Sequence, residues 1–462
     1  MAMGKIRRRD FVKWSAASLS ALGVGMPPFL RRALGGVTLN PKKKVLFIFL
    51  RGGMDGIQAV IPYGDGGVPG DSSTTYAGAR PTLAPNMADT HDLNGFAALY
   101  PTMQGPGASD PKLADIFHDT FDGRGANLAV MHRIGYASQN RSHFSSQQFY
   151  ENAIPGDVGT EEGWLNRYLQ AYPDAASPLQ AATLNNNQVV MLKGSTLVPV
   201  LRSISDFALP TNVPLGLSPG GGGPLGSGLK GAYGQSGFNP GVPYNSLTYE
   251  TGVSLLDNLQ FFEDNVSGNY VPEGGAEVFY DAMVDGRFRG FVRDCAQLLK
   301  EVEGLQIAGC NFGGFDNHGN LNTVFPELVR DLGLALTALY VDLAPIWDDL
   351  LIFTLTEFGR TSRQNANVGT DHAAASVMLA MGGNVNGGAY NCDFSTWPDG
   401  AMFEVNNRYL SHRTDFRAVY NEMITRHLGD PSGQIDSVIP NFTALESANA
   451  GGYFTPLNFL QG

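Results

Sequence analysis

Five short apolar runs are spaced along the chain, each bounded by glycine, polar or charged residues. Most are too short to form a helix of ordinary length, and they are rich in β-branched or aromatic residues, which is typical of strands buried on both faces of a parallel sheet. The runs are VLFIFL (45–50), NLAVMHRI (127–134), LQIAGC (305–310), LLIFTLT (350–356) and ASVMLAMGG (375–383).

Helical spacing of apolar residues separates several of these strands. One helix is predicted to begin near His143 with Ser142 at its N-cap, and helical spacing recurs in residues 249–305 and 324–344. Strands that alternate with helices predict an α/β fold with a mainly parallel central sheet covered on both faces.

The composition predicts many loops but no boundary between domains. The chain of 462 residues is 43% hydrophobic and only 16% charged, and its Gly 58 and Pro 27 predict many turns. The Gly- and Pro-rich segment 212–244 is predicted to be a long insertion. We therefore expect a single domain over residues 37–462.

The N-terminal residues 1–36 have the character of a targeting segment. The sequence RRDFVK, which begins at Arg8 and Arg9, resembles the twin-arginine export signal. The alternative, a basic helix or membrane anchor, is disfavoured because the apolar run is shorter than the ~20 residues of a membrane span. We expect a periplasmic or secreted bacterial protein with the twin-arginine translocase as a partner during export and no stable membrane span. Exchange of both arginines for lysine tests this.

Charge and cysteine content exclude several functional classes. The net charge is −12, and residues 1–36 contribute +6, so the exported chain would carry −18 and is not expected to bind nucleic acid. Cys295, Cys310 and Cys392 allow at most one disulfide and cannot supply a cysteine-ligated zinc site.

Acidic and histidine side chains follow or precede four of the predicted strands. Because the carboxyl ends of parallel strands meet at one edge of the sheet, these side chains are expected to come together there. Gathered carboxylates repel one another unless a cation lies among them, and this ligand mixture suits zinc or another divalent metal. The candidate ligands are Asp55, Asp316, His318, Glu357, Asp371 and His372.

A serine at a predicted helix start is the candidate nucleophile. Ser142 lies where backbone N–H groups and the helix dipole favour an anion, although its role could equally be that of a helix cap. Four further side chains are candidates for binding the oxygen atoms of a substrate. For the arginines among them, a surface salt bridge is the alternative role. These side chains are Arg51, Arg141, His143 and Arg360.

Several motifs together resemble one family. FLRGGMDG, RSHF, GWLNRYL, GFDNHGN, TEFGRT, GTDHAAAS and TDFRAV are similar to motifs of the DUF1501 family, twin-arginine-exported members of the alkaline phosphatase-like (sulfatase and phosphatase) superfamily. The resemblance implies a three-layer α/β sandwich, a Ser, Thr or formylglycine nucleophile, and one or two divalent ions at the carboxyl edge of the sheet.

Carried over by position, the resemblance places Asp55 and His372 at metal-ligand positions and Ser142 at the nucleophile. It also has departures: the spacing from Asp316 to His318 is short, Glu357 stands for an aspartate, and Phe358 stands where a histidine ligand is expected. No cysteine or serine has the context required for formylglycine.

The leading functional hypothesis is an exported metal-dependent hydrolase of phosphate or related oxyanion esters, small or polymeric, with a metal-activated serine or water as nucleophile. One alternative is a non-catalytic binding or assembly protein whose metal site is degraded. Another is a carbohydrate-processing or polymer-binding protein that uses the 212–244 insertion as a contact surface.

Overall fold

The computed structural model describes residues 43–107, 110–173, 179–205, 266, 269–302, 304–429 and 433–461. The predicted signal segment 1–36, the insertion 212–244 and residues 249–265 of the predicted helical segment lie outside the described residues.

Twelve strands are present in the described part of the chain. They are β1 (Lys44–Leu50), β2 (Val60–Ile61), β3 (His91–Asp92), β4 (Ala98–Leu99), β5 (Leu128–Gly135), β6 (Ala181–Leu184), β7 (Val200–Leu201), β8 (Ile307–Phe312), β9 (Leu350–Leu355), β10 (Ser376–Met381), β11 (Gly388–Tyr390) and β12 (Thr414–Asp415).

Helices pack on this framework. The α-helices are α1 (Gly56–Ala59), α2 (Tyr76–Ala79), α3 (Leu113–Phe117), α4 (His143–Asn152), α5 (Trp164–Ala171), α6 (Glu277–Asp281), α7 (Gly286–Glu301), α8 (Leu321–Asp342), α9 (Phe416–Glu422), α10 (Ile435–Val438) and α11 (Phe442–Ala448), and a π-helix (Met423–Gly429) continues α9. Short 3₁₀ turns occupy Ser72–Thr74, Met87–Asp89, Val190–Leu192, Glu273–Gly275, Ala344–Asp349, Ala401–Phe403 and Ala450–Gly452.

The central sheet has the strand order β11-β5-β10-β9-β1-β8-β6-β7, and β12 pairs with β5 at one end. Strand β1 lies parallel to β8 and β9, with Val45 opposite Ile307 and Leu351. Strand β10 runs antiparallel to both of its neighbours, β9 and β5. The predicted α/β fold with a mainly parallel sheet is confirmed, with β10 as its antiparallel member. A small antiparallel sheet, β2-β4-β3, lies apart from it.

Strand β1 shows why its apolar run is continuous. Its alternate residues enter different cores: Leu46, Ile48 and Leu50 pack in one core and the intervening residues in the other. Helices α7 and α8 contribute to the first core, and α4, α5 and α9 to the second. Because successive side chains of a strand point to opposite faces, a strand that is covered on both faces needs apolar residues at every position.

The five predicted strands are present as β1, β5, β8, β9 and β10, and the helix predicted at His143 begins at that residue as α4. Prediction placed the third strand two residues too early, at 305–310 instead of Ile307–Phe312. The helix predicted over 324–344 is α8, whose 22 residues include Pro326 in the second turn. None of the helices within the described ranges is both long and apolar enough to cross a bilayer.

Strand direction decides which loops meet. Strands β1, β8 and β9 end at the same edge of the sheet because they are parallel, and the antiparallel β10 begins at that edge. The loops after β1, β8 and β9 therefore meet the segment that leads into β10, which contains His372.

Candidate metal centre

The turn after β1 is built on two glycines. Gly52 and Gly53 have φ values of +114° and +67°, which side chains rarely tolerate. A Cβ atom on Gly52 would lie 2.6 Å from the backbone nitrogen of Asp316, and one on Gly53 would lie 2.4 Å from the Phe358 ring. This close approach brings the loop after β1 against the loops after β8 and β9.

Helix α4 contributes a histidine from its first turn. His143 and Gln147 lie four residues apart on one face of the helix, and both contact Glu357. The His143 Nδ1 atom lies 2.8 Å from Glu357 Oε1, and Gln147 Nε2 donates to the same oxygen at 2.8 Å. Glu357 thus lies behind His143, on the Nδ1 side of its ring.

Three histidine Nε2 atoms converge on one carboxylate oxygen. The Asp316 Oδ1 atom lies 3.4 Å from the Nε2 atom of His143, 3.0 Å from that of His318 and 3.2 Å from that of His372. The His372 Nε2 atom lies 3.0 Å and 2.9 Å from the Nε2 atoms of His143 and His318. Nitrogen ligands 2.0–2.1 Å from a tetrahedral zinc are separated by about 3.3 Å. The observed separations are close to that value.

The opposite side of each imidazole is held by an acceptor. The His143 Nδ1 atom faces the Glu357 carboxylate, the His318 Nδ1 atom lies 3.1 Å from Asp371 Oδ1, and the His372 Nδ1 atom lies 2.8 Å from the carbonyl oxygen of Arg141. A carbonyl oxygen can only accept, so His372 carries its proton on Nδ1. The same tautomer at the other two rings leaves an unprotonated Nε2 atom on each histidine, as in metal sites whose histidines are oriented by outer acceptors.

Local hydrogen bonds keep the supporting carboxylates ionised. Burial alone would raise the pKa of Glu357, but hydrogen bonds from His143, Gln147 and the Gly52 N–H lower it below its usual value. Desolvation likewise opposes ionisation of Asp371, and hydrogen bonds from His318 and Asn365 outweigh it and lower the pKa. Both groups can therefore accept from histidine Nδ1–H donors.

The central carboxylate is more strongly acidic. Partial burial would raise the pKa of Asp316, but the hydrogen bond from Arg360 and the charge of Arg360 lower it to about 2. The hydrogen bond to Glu357 raises the pKa of His143 despite its partial desolvation, whereas desolvation lowers that of His372. In the described part of the chain, His143, Asp316 and His372 form a group whose potential ligand atoms lie within 4.8 Å of one another, and His318 is not a member of this group.

Phe358 forms the apolar wall of this cluster. It is fully buried, and its ring centroid lies 4.8 Å from the ring of His143 and 4.7 Å from that of His372. The residue that replaces an expected histidine ligand thus packs against two of the three converging histidines and restricts how their rings can turn.

Asp55 has partners outside the cluster. Its carboxylate oxygens lie 3.0 and 3.1 Å from the Arg80 guanidinium, one of them accepts from Thr370 Oγ1 at 2.9 Å, and the other caps α1 through the Gln58 N–H. Asp55 and Arg80 are both buried. The structure does not bring Asp55 into contact with the histidines.

Two of the arginines assigned to substrate oxygens are committed to the fold. Arg51 forms an ion pair with Glu151 and donates to Asn311 Oδ1 at 3.2 Å. Arg360 is 1% exposed and donates to the carbonyl groups of Gly52, Gly53, Phe315 and Thr370 as well as to Asp316 Oδ1 at 2.7 Å. Arg360 joins three loops and positions the central carboxylate.

Ser142 and Arg141 lie at the solvent side. Ser142 is exposed at the N-cap of α4, where its side chain makes no capping hydrogen bond, and its N–H donates to Asn140 Oδ1 at 2.8 Å. It is the chain neighbour of His143. The side chain of Arg141 is also exposed.

Sequence reasoning assigned His143 to substrate binding, whereas in the structure its Nε2 atom belongs to the converging group. Sequence reasoning did not single out Gln147 or Arg408, which contact Glu357 and Asp371 respectively. The four-residue spacing of His143 and Gln147 on a predicted helix indicates that both side chains lie on one face. No sequence pattern indicates the contact between Arg408 and Asp371.

Fold and site together define an α/β protein with a mainly parallel sheet and a cluster of histidines and carboxylates at the carboxyl edge. The family model described as "Protein of unknown function (DUF1501)" matches residues 283–431, which contain Asp316, His318, Glu357, Asp371 and His372. This match supports the resemblance to the DUF1501 family, and His143 lies outside it. No curated protein matches the chain.

Proposed function

We propose that this protein is an exported hydrolase of phosphate or related oxyanion esters that depends on a divalent metal, with an alkaline phosphatase-like fold. The observation that carries the proposal is the convergence of three histidine Nε2 atoms on Asp316 Oδ1. Uncharged rings held by acceptors at Nδ1 direct lone pairs at one another, and a cation removes the resulting repulsion.

The residues present fit one ion, and zinc suits them best. His143, His372 and Asp316 would hold it through nitrogen and oxygen atoms, the donor set that zinc prefers, and His318 lies beside Asp316 and His372. Bound there, a divalent ion would lower the pKa of a water or hydroxyl nucleophile and neutralise charge that develops on the transferred group. Asp316 and His318 are about half exposed, at 49% and 47%, so a substrate can reach the cluster.

The surrounding residues have separable roles. Glu357, Asp371 and the carbonyl group of Arg141 orient the three imidazoles. Ser142 presents a hydroxyl at the first turn of α4, where free backbone N–H groups favour an anionic oxygen. The nucleophile is either this hydroxyl or a water molecule.

The test combines metal content with hydrolysis. We expect elemental analysis of the purified mature protein to find one zinc per chain. The zinc should be lost in His372→Ala and retained in the control His118→Ala, because His118 is an exposed histidine whose ring is hydrogen-bonded to the Asp92 carbonyl group. Phosphate and sulfate monoesters and diesters are then offered to the wild type and to Ser142→Ala. Turnover that disappears in Ser142→Ala with metal retained identifies the serine as nucleophile, and turnover that persists identifies water. Absence of both metal and turnover in the wild type would refute the proposal.

Phe358 favours a second candidate, a non-catalytic binding or assembly protein that keeps the fold. The phenylalanine fills a ligand position with apolar surface and packs on two histidine rings. Such a protein would be stable without metal. Absence of metal and of turnover on every ester would leave this alternative in place.

A further inference from the structure

Two arginines from distant parts of the chain converge on one tyrosine ring beside the cluster. The guanidinium carbon of Arg141 lies 4.9 Å from the centroid of the Tyr409 ring, and that of Arg408 lies 5.5 Å from the same centroid. The two positive groups are therefore at most 10.4 Å apart, the sum of these distances. Tyr409 is buried, whereas both arginines are exposed.

Each arginine is attached directly to a residue of the cluster. The carbonyl group of Arg141 accepts from His372 Nδ1 at 2.8 Å. The Arg408 Nη2 atom lies 3.2 Å from Asp371 Oδ2, and the other oxygen of that carboxylate holds His318. Arg141 thus contacts His372 directly through its backbone, and Arg408 is separated from His318 by Asp371 alone.

The turn that presents Arg408 is defined by the sequence. Asn406 and Asn407 have φ values of +55° and +53°, a region that asparagine tolerates better than most residues. The turn is closed by the Tyr409 N–H, which donates to the Val405 carbonyl at 3.0 Å, and the Arg408 carbonyl accepts from the Ser362 N–H at 3.3 Å. The backbone of Arg408 is fixed while most of its side chain remains in solvent.

Charge around the cluster favours an anion with two charges. Asp316, Glu357 and Asp371 contribute −3 and the guanidinium groups of Arg360, Arg408 and Arg141 contribute +3, so an added divalent ion leaves an excess of +2 with neutral histidines. Arg360 is buried and fully engaged, which leaves Arg141 and Arg408 as the exposed cations of this group. Guanidinium groups bind paired oxygens of phosphate in a bidentate manner.

We propose that Arg141 and Arg408, spaced by the ring of Tyr409, form a clamp for the terminal dianionic group of a phosphate monoester. The proposal rests on the proposed function and narrows its substrate class. Each guanidinium group donates hydrogen bonds to unesterified oxygens of the phosphoryl group. To do so, Arg408 gives up part of its contact with Asp371. A phosphate diester and a sulfate monoester each carry a single negative charge, so both bind more weakly than a dianionic phosphate monoester.

Phosphate binding tests the clamp separately from catalysis. Inorganic phosphate, at a pH where it is a dianion, and methyl sulfate, a monoanion, are titrated calorimetrically into the full mature chain, as purified and after zinc loading, at low ionic strength. Arg141→Gln and Arg408→Gln are each expected to weaken phosphate binding about tenfold or more, the range for a lost charge-assisted contact, with metal content unchanged. Arg202→Gln is the control, since Arg202 is exposed beyond the edge strand β7. Arg408→Lys should restore part of the affinity.

The outcomes of the two proposals are distinguishable. Weakened phosphate binding in both variants, with no turnover of any ester, supports the clamp and refutes the hydrolase. Hydrolysis with an unchanged KM in both variants refutes the clamp and leaves the hydrolase. The clamp is also overturned if the wild type binds no phosphate, if it binds the monoanion methyl sulfate as well as dianionic phosphate, or if Arg202→Gln weakens binding equally. Thermal denaturation of each variant shows whether it is folded.

Discussion

Glu357 is excluded from solvent, yet its carboxylate is well satisfied. Oxygen Oε1 accepts from His143, Gln147 and the Gly52 N–H, and Thr356 Oγ1 lies 3.3 Å from Oε2. An unpaired carboxylate in a core costs several kcal/mol, so these donors explain why a buried acid can follow strand β9 directly. The sequence indicated that the strand must end before Glu357, and β9 ends at Leu355. It did not indicate that the acid would face the Nδ1 side of a histidine.

The Asp55–Arg80 pair gives a prediction about stability. Removing one partner of a buried ion pair leaves an uncompensated charge, which costs about 3–5 kcal/mol. We expect Asp55→Asn to lower the free energy of unfolding, measured in urea, by roughly this amount and to leave metal content unchanged. Asp281→Asn, which breaks an exposed pair with Arg289, should cost at most about 1 kcal/mol. Loss of metal with little loss of stability would instead make Asp55 a ligand.

His132 gives a prediction about acid sensitivity. It is fully buried in β5, where Nε2–H donates to the Val60 carbonyl at 3.2 Å and Nδ1 accepts the Arg133 N–H at 3.0 Å. Burial lowers the pKa of His132 to about 3. Because the folded pKa lies below the unfolded value of about 6.5, the neutral residue favours the folded state above pH 6.5, and this contribution is lost as the pH falls towards 3.

At pH 4.5 the loss from His132 is on the order of 3 kcal/mol relative to pH 7. The difference in unfolding free energy between these two pH values should therefore shrink by about that amount in His132→Gln, which keeps a hydrogen-bond donor. His118→Gln, at an exposed position, should retain the wild-type difference. An unaltered pH dependence in His132→Gln would contradict the assignment.

At the scale of elements, one antiparallel strand completes the site. Asp316 and Glu357 follow β8 and β9, whereas His372 precedes β10. In a wholly parallel sheet a residue before a strand lies at the edge opposite to residues after strands. Because β10 runs against β9, with Met381 paired to Ile352, His372 reaches the edge where the other two residues lie.

This strand direction marks what sequence patterns could and could not predict. Continuous apolar runs indicate strands that are buried on both faces, so β1, β5, β8, β9 and β10 could be predicted. Such a run does not indicate whether its strand lies parallel or antiparallel to its neighbours. Strands β6, β7, β11 and β12 have two to four residues and leave no periodic signal. The acids and histidines at strand ends could be predicted as a group. Their separation into converging atoms and supporting acceptors depends on loop geometry, as the different partners of Asp55 and Asp316 show.

At the scale of the whole molecule, the cluster joins segments that are far apart in the chain. His143 and His372 are separated by 229 positions, and His318 and His372 by 54. The three histidines come from helix α4, the loop between β8 and α8, and the loop between β9 and β10. An ion held by all three segments would bind the folded chain and not the unfolded one, since unfolding disperses its ligands.

This linkage makes metal removal a test on the entire fold. At an ion concentration one hundred times its dissociation constant, binding stabilises the folded state by about 2.7 kcal/mol. We therefore expect chelation to lower the Tm of the wild type by on the order of a few degrees, and added zinc to restore it. In His372→Ala the Tm should respond to neither treatment, because one converging Nε2 atom is absent, whereas His118→Ala should behave as the wild type does. A wild-type Tm that is unaffected by chelation and by zinc would mean that Phe358 and the hydrogen bonds of Glu357, Asp371 and Arg360 hold the three loops together without an ion, and it would favour the non-catalytic alternative.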